Sequence, residues 1–255
     1  MGVILFVHGM GYNSDRDYWK GWATSLQLEL ARQGFVLTEE HFGGVYYYDL
    51  VPGPKAGKEP EEDIMQIQVL GLKKRAKEEL VSSYSPFIKN YSMIRNLTDN
   101  IVDNFGDIFS YLYFDKTYQL VNDRLYKAID QYSEPVNLIG YSLGTIICYC
   151  ALLQNQYAAS KVGHLIMLGS PLFWFMQGVA RRVNFSLRPA VGRFTNVAGL
   201  LDIAWPQMVP KILPALDNHV EFIINYFNPI RGHTEYFDKK ESLQAISREI
   251  IIGWT

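Results

Sequence analysis

The chain has 255 residues, of which 48% are hydrophobic and 20% are charged. This length and composition exclude a disordered chain and are sufficient for a buried core without disulfides. The 24 basic and 26 acidic residues give a net charge of −2, which excludes the positive surplus of a general nucleic-acid binder. The longest apolar runs are well short of the roughly 20 residues that cross a bilayer, so we expect no stable membrane insertion.

Short apolar runs alternate with amphipathic stretches along most of the chain, which is typical of a mostly parallel sheet flanked by helices. The predicted strands are 3–7, 44–49, 136–139, 162–168, 194–200 and 220–224. The predicted helices include 15–33, 115–132, 145–154 and 239–252. The pattern therefore predicts an α/β fold with a sheet of six strands.

The segment 51–114 breaks this alternation, because it contains no predicted strand and is mainly helical. A connection of this length in a compact domain indicates an insertion, a lid or a helical cap. We therefore predict one domain over residues 1–255, with a mainly helical insertion at about 51–114. No internal repeat or low-complexity tract marks a further domain.

The two cysteines, Cys148 and Cys150, are separated by one residue. On a helix their side chains would point to nearly opposite sides, which disfavours a disulfide between them and fits a reducing compartment. The apolar run near the N-terminus has no basic residues before it and is too short for a secretory signal. We expect a cytoplasmic protein, and the sequence leaves its oligomeric state open.

The segment from Gly140 to Gly144 reads Gly-Tyr-Ser-Leu-Gly and lies between a predicted strand and a predicted helix. This is the G-x-S-x-G pattern in the setting that a nucleophile elbow requires. A sharp strand-to-helix turn strains the serine backbone, and glycine two residues on either side removes a collision of side chains. The N-terminus of the following helix favours developing negative charge. Ser142 is therefore the predicted nucleophile.

A second motif, His8-Gly-Met-Gly11, directly follows the first predicted strand. With the elbow, it resembles the α/β-hydrolase superfamily, in particular its serine esterases and lipases. The resemblance covers residues 2–50 and 115–255 and implies an α/β-hydrolase fold in which the loop after the early strand supplies half of the oxyanion hole. By this resemblance, the backbone N–H groups of Met10 and Leu143 would hold the oxyanion, and the histidine of the motif would order the loop.

The general base is expected at the carboxyl ends of the strands, where open α/β sheets bind their ligands. His233 follows the last predicted strand and precedes the last helix, where hydrolases of this superfamily carry their histidine. Three further histidines lie before or at the beginning of predicted strands and belong to the opposite edge: His41, His164 and His219. His233 is therefore the predicted base, in the chain order Ser, acid, His that this fold uses.

Two carboxylates are candidates for the acid that orients the histidine. Asp202 follows the penultimate predicted strand and resembles the loop aspartate of the family, although Ile203 stands where many relatives have proline. Asp49, at the end of the tyrosine-rich predicted strand, is the alternative on geometry. Asp202 is the prediction, and a solvated loop carboxylate is the competing interpretation of this residue.

Other motifs give little support for a cofactor. Gly9–Ser14 matches the dinucleotide-binding pattern only in part, because Ser14 replaces the third glycine. The sequence has no Walker A motif, no H-E-x-x-H and no cysteine spacing for zinc, so we expect no cofactor and no metal. A group of arginines is either a solvated face or a contact for an anionic substrate: Arg181, Arg182, Arg188 and Arg193.

The sequence thus predicts a carboxylic-ester hydrolase in which Ser142 attacks, His233 transfers the proton and Asp202 orients the histidine. Phe173 and Trp174 would bind substrate together with the aromatic insertion, which favours a lipid-like or aromatic small-molecule ester. Two alternatives stay open. One is a binding module that has the fold without catalysis, and the other is acyl transfer or thioester cleavage on the same serine.

Overall fold

The computed structural model describes residues 2–9, 15–51, 106–213, 215–225 and 228–254. These residues group into two compact units, one formed by 2–9, 15–46 and the described part of 122–254, the other by 47–51 and 106–121. Most of the predicted insertion at 51–114 lies outside the described residues, so its helical character stays a prediction.

A parallel sheet of six strands forms the centre of the first unit. The strands are β1 (Val3–Val7), β2 (Phe42–Val45), β3 (Val136–Tyr141), β4 (Val162–Leu168), β5 (Arg193–Leu200) and β6 (Asn218–Ile223). Their spatial order is β2-β1-β3-β4-β5-β6, and every neighbouring pair is parallel. The predicted α/β class with a mostly parallel sheet flanked by helices is confirmed.

The helices of the described part of the chain agree in kind with the predicted ones, with ends that shift by a few residues. They are α1 (Trp19–Arg32), α2 (Gly106–Tyr113), α3 (Asp115–Asp130), α4 (Leu143–Gln154), α5 (Gln156–Ser160), α6 (Met176–Ala180), α7 (Val209–Ile212), α8 (Pro229–Thr234) and α9 (Lys240–Trp254). None of these described helices has the length and apolar character that a membrane span requires.

Helices cover both faces of the sheet. Because strand side chains alternate, Ile4 and Phe6 of β1 point to one face, where they belong to a buried cluster that includes apolar residues of α1 and α9. On the other face α4 packs against β1, β3 and β4. Every residue of α4 from Leu143 to Leu152 is buried, as expected for a helix that is apolar on all sides. Cys148 and Cys150 lie in this stretch as free thiols.

The second strand differs from its prediction. It was expected over 44–49, but β2 begins at Phe42 and ends at Val45. The reason is its partner: Val45 pairs with Val7, the last residue of β1, so β1 has no further residue to pair with the tyrosines that follow. The chain turns instead into a 3₁₀-helix at Tyr48–Leu50, which places Asp49 beyond the end of the strand.

The strand order determines where the polar side chains meet. Ser142 follows β3, Asp202 follows β5 and His233 lies on α8 after β6, so all three emerge at the carboxyl edge of the sheet. Parallel strands bring these ends to one edge, which is where open α/β sheets place their ligand crevice.

Candidate active site

The turn between β3 and α4 consists of a single residue, Ser142. Its backbone has φ 53° and ψ −122°, a conformation that L-residues rarely adopt. Two backbone hydrogen bonds hold the turn: Ser142 N–H donates to the carbonyl of Leu168 at 2.9 Å, and Thr145 N–H donates to the carbonyl of Ser142 at 3.0 Å. The strained serine is thus held both by β4 and by the first turn of α4.

Glycines give this turn the space it needs. A Cβ on Gly140 would lie 2.8 Å from the carbonyl oxygen of Gly144, and a Cβ on Gly144 would lie 2.2 Å from the carbonyl oxygen of Val7. A Cβ on Gly9 would lie 2.7 Å from the Cβ of Ser142, so the loop after β1 also approaches the serine closely. The spacing of the G-x-S-x-G motif therefore has a steric reason, but the closest contacts that glycine avoids at positions 140 and 144 are with backbone carbonyl oxygens rather than with side chains.

His233 contacts the serine directly. Its Nε2 lies 2.8 Å from Ser142 Oγ, and both side chains are buried, with exposed fractions of 8% and 2%. The hydroxyl of Tyr141 donates a hydrogen bond to the backbone carbonyl of His233, and the two rings stack with centroids 5.6 Å apart. When Ser142 donates to Nε2, the neutral ring carries its proton on Nδ1.

That second nitrogen faces Asp202. His233 Nδ1 lies 2.8 Å from Asp202 Oδ1, and the Asp202 side chain is completely buried. Ala204 N–H donates to the same carboxylate oxygen at 2.8 Å, and the Tyr236 hydroxyl donates to Oδ2 at 2.6 Å. The carboxylate is thus held on both oxygens in an orientation that accepts a hydrogen bond from His233 Nδ1–H.

Backbone strain is concentrated in the two turns that carry these groups. Among the described residues, three non-glycine residues have positive φ: Ser142 at 53°, Leu201 at 65° and Trp205 at 50°. The last two flank Asp202. Each such conformation costs on the order of 1–3 kcal/mol and persists only where the surrounding structure determines it, which is common at functional sites.

Of the two residues predicted for the oxyanion hole, the structure describes Leu143 but not Met10. Leu143 is the first residue of α4, so its N–H belongs to the first turn, where no carbonyl of the helix itself accepts it. Met10 lies outside the described residues. Its role stays a prediction.

The residues predicted to bind substrate lie near the Asp202 turn. Phe173 is half-buried, and its ring lies 5.6 Å from those of Trp174 and Trp205. Trp174 is buried, and its indole N–H donates to the carbonyl of Ile203 at 3.0 Å. Trp174 therefore supports the turn that carries Asp202, and its contact with substrate stays a prediction.

The other histidines have different surroundings. His8 is buried, with Nδ1 2.8 Å from the carbonyl of Gly9, and burial lowers its pKa to about 4. His164 and His219 lie inside β4 and β6 rather than before them, near the amino end of each strand, and His41 ends a 3₁₀-helix. Burial, followed by the positive charge of Arg193, lowers the pKa of His164 to about 4. Both His8 and His164 are therefore neutral near pH 7.

The structure also gives the surroundings of Asp49, the alternative acid, and of two of the four arginines considered as contacts for an anionic substrate. Asp49 is exposed on its 3₁₀-helix, while His233 Nδ1 faces Asp202. Arg188 pairs with Asp217, and Arg193 pairs with Glu249 at 3.1 Å. Charge neutralisation in these pairs disfavours the two arginines as contacts for an anionic substrate.

Two tyrosines of the site were not predicted from the sequence. Tyr141 is the variable residue before the serine of the motif, and Tyr236 follows His233 by three residues. No local pattern indicates that their hydroxyls reach His233 and Asp202. In the part of the chain that the structure describes, no cluster of three or more His, Cys, Asp or Glu side chains is arranged to hold a metal ion.

Comparisons with known proteins add little to this geometry. No family model matches the sequence, and no curated protein matches it significantly. Among solved structures, one match is a protein from Pectobacterium atrosepticum provisionally described as a YdeN-like hydrolase. It is 12% identical, with a TM-score of 0.47, and the match covers 98% of this chain and 91% of the other. At these values, nothing about the chemistry of this chain follows from the neighbour.

Proposed function

We propose that this chain is a serine hydrolase of the α/β-hydrolase type that cleaves the carboxylic ester of a small molecule. One observation carries the proposal: His233 lies 2.8 Å from Ser142 Oγ through Nε2 and 2.8 Å from Asp202 Oδ1 through Nδ1. A nucleophile, a base within reach of its proton and a group that orients the base are what covalent acyl transfer requires.

In the first half of the reaction, Ser142 Oγ attacks the ester carbonyl carbon and its proton passes to His233 Nε2. Asp202 accepts the hydrogen bond of Nδ1–H and stabilises the imidazolium that forms. The tetrahedral intermediate then expels the alkoxide, which receives the proton from His233 and leaves as the alcohol. The acyl group stays on Ser142 as an ester.

In the second half, water attacks the acyl-serine and gives one proton to His233. The intermediate collapses, His233 returns that proton to Ser142 Oγ, and the carboxylic acid is released. Atoms and charges balance without a cofactor or metal. The same groups therefore serve both steps.

Negative charge develops on the carbonyl oxygen in both steps. The N–H of Leu143, at the start of the 12-residue helix α4, is proposed for one side of an oxyanion hole, because helix N-termini carry partial positive charge. The Met10 N–H is proposed for the other side from the sequence resemblance alone. Each donor of this kind lowers the barrier by about 3 kcal/mol.

The aromatic rings beside the Asp202 turn support an apolar acyl or aromatic group in the substrate. Phe173 is half-buried, whereas Trp174 is only 5% exposed. We therefore expect Phe173→Ala to change the preference among acyl chain lengths more than it changes turnover of a short ester.

The decisive experiment combines labelling by a fluorophosphonate probe with hydrolysis of a panel of aryl and alkyl esters. Wild type should be labelled and active, and Ser142→Ala should be neither. Ser242→Ala is the matched control, since Ser242 is completely buried on α9 and its hydroxyl has no hydrogen-bond partner in the described structure. Ester hydrolysis that survives Ser142→Ala would refute the mechanism.

The same assay separates the alternatives. A folded protein whose Ser142 does not react with the probe supports a binding module without catalysis. Faster product formation with an added alcohol or amine acceptor, or with thioesters, assigns the same serine to acyl transfer or thioester cleavage.

The acid is tested by a pair of substitutions. Asp202→Asn should reduce kcat by about a thousandfold or more, because the amide no longer favours the required tautomer of His233. Asp49→Asn should leave kcat near the wild-type value, since Asp49 is exposed. The reverse result would assign the acid to Asp49.

A further inference from the structure

We propose that Tyr236 is a positioning residue of this site, whose hydroxyl holds the Asp202 carboxylate in the orientation that faces His233. The inference rests on the proposed function for its kinetic consequences. It rests on the geometry alone for what the hydroxyl does to Asp202.

The hydroxyl of Tyr236 has two partners that fix its direction. It accepts a hydrogen bond from Gly199 N–H at 2.7 Å and donates one to Asp202 Oδ2 at 2.6 Å. Tyr236 is completely buried. Because a backbone N–H occupies the acceptor side of the oxygen, the phenolic proton is left to point at the carboxylate.

Two glycines leave the space that this arrangement needs. A Cβ on Gly169, directly after β4, would lie 3.0 Å from the Tyr236 ring and 3.2 Å from Asp202 Oδ2. A Cβ on Gly199, in β5, would lie 3.1 Å from the Tyr236 hydroxyl. The backbone at the carboxyl ends of two neighbouring strands therefore leaves a slot that the tyrosine fills beside the carboxylate.

The electrostatics of Asp202 make this donor important. The carboxylate is completely buried, and within the described residues it forms an ion pair with His233 but with no lysine or arginine. A buried carboxylate without a lysine or arginine partner is stabilised mainly by donated hydrogen bonds. These come from His233 and Ala204 at Oδ1 and from Tyr236 at Oδ2.

Among the described residues, three titratable side chains act on Asp202: His233 on α8, Tyr236 between α8 and α9, and Tyr141 at the end of β3. Tyr141 is also acted on by the charge of Asp238. Burial, followed by the charge of Asp202, raises the pKa of Tyr236 well above its ordinary value. The phenol therefore stays protonated and remains a donor throughout the working pH range.

Loss of the hydroxyl has a defined chemical consequence. Without the donor at Oδ2, Asp202 binds a proton more readily and also accepts more strongly from His233 Nδ1–H. Both effects raise the pH at which the pair takes up a proton, so the acid limb of the kcat/KM profile moves to higher pH. KM should not change, because Tyr236 is completely buried and its hydroxyl contacts Asp202 and Gly199.

The test compares Tyr236→Phe with Tyr149→Phe. Tyr149 is the matched control, because it is also completely buried and its hydroxyl donates to the Leu187 carbonyl at 3.2 Å, in contact with neither Asp202 nor His233. Tyr236→Phe should lower kcat about tenfold, which corresponds to roughly 1.4 kcal/mol. It should also move the acid limb to higher pH, the direction expected for loss of one donor to a carboxylate. Tyr149→Phe should leave both unchanged.

A double-mutant cycle tells whether Tyr236 acts through Asp202. In an Asp202→Asn background, Tyr236→Phe should cost no further activity, since the carboxylate it supports is absent. If Tyr236→Phe reduced kcat by the same factor in the Asp202→Asn background as in wild type, the proposal would be overturned. A folded Tyr236→Phe variant with the wild-type kcat and acid limb would also overturn it.

A second measurement keeps the inference testable if no ester is hydrolysed. In protein with ¹³C-labelled aspartate carboxyls, Tyr236→Phe should raise the NMR titration midpoint of Asp202. An unchanged midpoint would refute the role proposed for Tyr236 without bearing on the proposed function. If Tyr236→Phe does not fold, 3,5-difluorotyrosine at position 236 keeps both hydrogen bonds and is a stronger donor. It should shift the same midpoint downward, and a midpoint that stays or rises would refute the proposal.

Discussion

The second glycine of the G-x-S-x-G motif allows the steric basis of the serine turn to be tested by the substitution Gly144→Ala. A Cβ at this position would lie 2.2 Å from the carbonyl oxygen of Val7 and 2.7 Å from that of His8. An unstrained contact between carbon and carbonyl oxygen is about 3.3 Å or longer. Both oxygens belong to the backbone, so neither moves aside as a flexible side chain would.

The expected loss follows from two opposing effects. Helix propensity alone favours alanine over glycine in α4 by up to about 1 kcal/mol. Overpacking against a well-packed interior costs roughly 1–3 kcal/mol or more, and here α4 must move by about 1 Å away from β1. We therefore expect Gly144→Ala to lower the free energy of unfolding by about 2 kcal/mol, and to reduce kcat because Ser142 moves with the helix.

Gly21→Ala provides a control with the opposite sign. Gly21 is exposed in α1, and a Cβ there would meet no atom within 4 Å. Only the propensity effect remains, so this variant should be more stable by about 0.5 kcal/mol. Urea denaturation of both variants, together with ester hydrolysis, decides the matter. If Gly144→Ala matched Gly21→Ala in stability and kept the wild-type kcat, the steric explanation of the motif would be wrong.

Two further predictions concern the half-buried Tyr141 and the buried His164. Tyr141→Phe removes the hydrogen bond to the His233 carbonyl and should lower the free energy of unfolding by about 1 kcal/mol and kcat several-fold; a variant equal to wild type in both would contradict this role. The pKa of His164 is about 4 when folded and about 6.5 when unfolded, so the unfolded state binds more protons between these values and stability falls as pH falls, by at most about 1.4 kcal/mol per pH unit. In denaturation experiments between pH 4 and 6.5, the free energy of unfolding of His164→Asn should fall less steeply with decreasing pH than that of wild type. A fall remains because His8, whose pKa is also about 4, contributes in the same direction. Equal dependence on pH in the two proteins would refute the lowered pKa of His164.

The parts of the site that were predictable are those determined by local sequence. The apolar run 136–139 ending at a glycine predicted both β3 and the turn, because a buried strand and a strained serine each need a particular local composition. The position of His233 after the last strand was likewise readable from chain order. The end of β2 was not, because it depends on where β1 ends, which is a property of pairing rather than of the tyrosine-rich segment itself.

Contacts between distant segments were also out of reach. Tyr236 meets Asp202 from 34 residues away, and Tyr141 meets the His233 carbonyl from 92 residues away. A tyrosine has the same local pattern whether its hydroxyl meets a carboxylate or a carbonyl. Only the strand order, which brings the ends of β3, β5 and β6 together, tells these cases apart.

The backbone explains why the geometry of the site is well defined although its residues lie in turns. Hydrogen bonding continues past the strand ends: Ser142 N–H donates to Leu168 of β4 at 2.9 Å, and Gly169 N–H donates to Val197 of β5 at 3.1 Å. Asp202 N–H then donates to Gly199 within its own turn at 3.1 Å. The serine and the aspartate are thus tied, through one intervening strand, to the same sheet. Their separation is set by the spacing of strands rather than by the flexibility of loops, which leaves His233 on α8 as the member whose position depends on side-chain contacts with Tyr141 and Asp202.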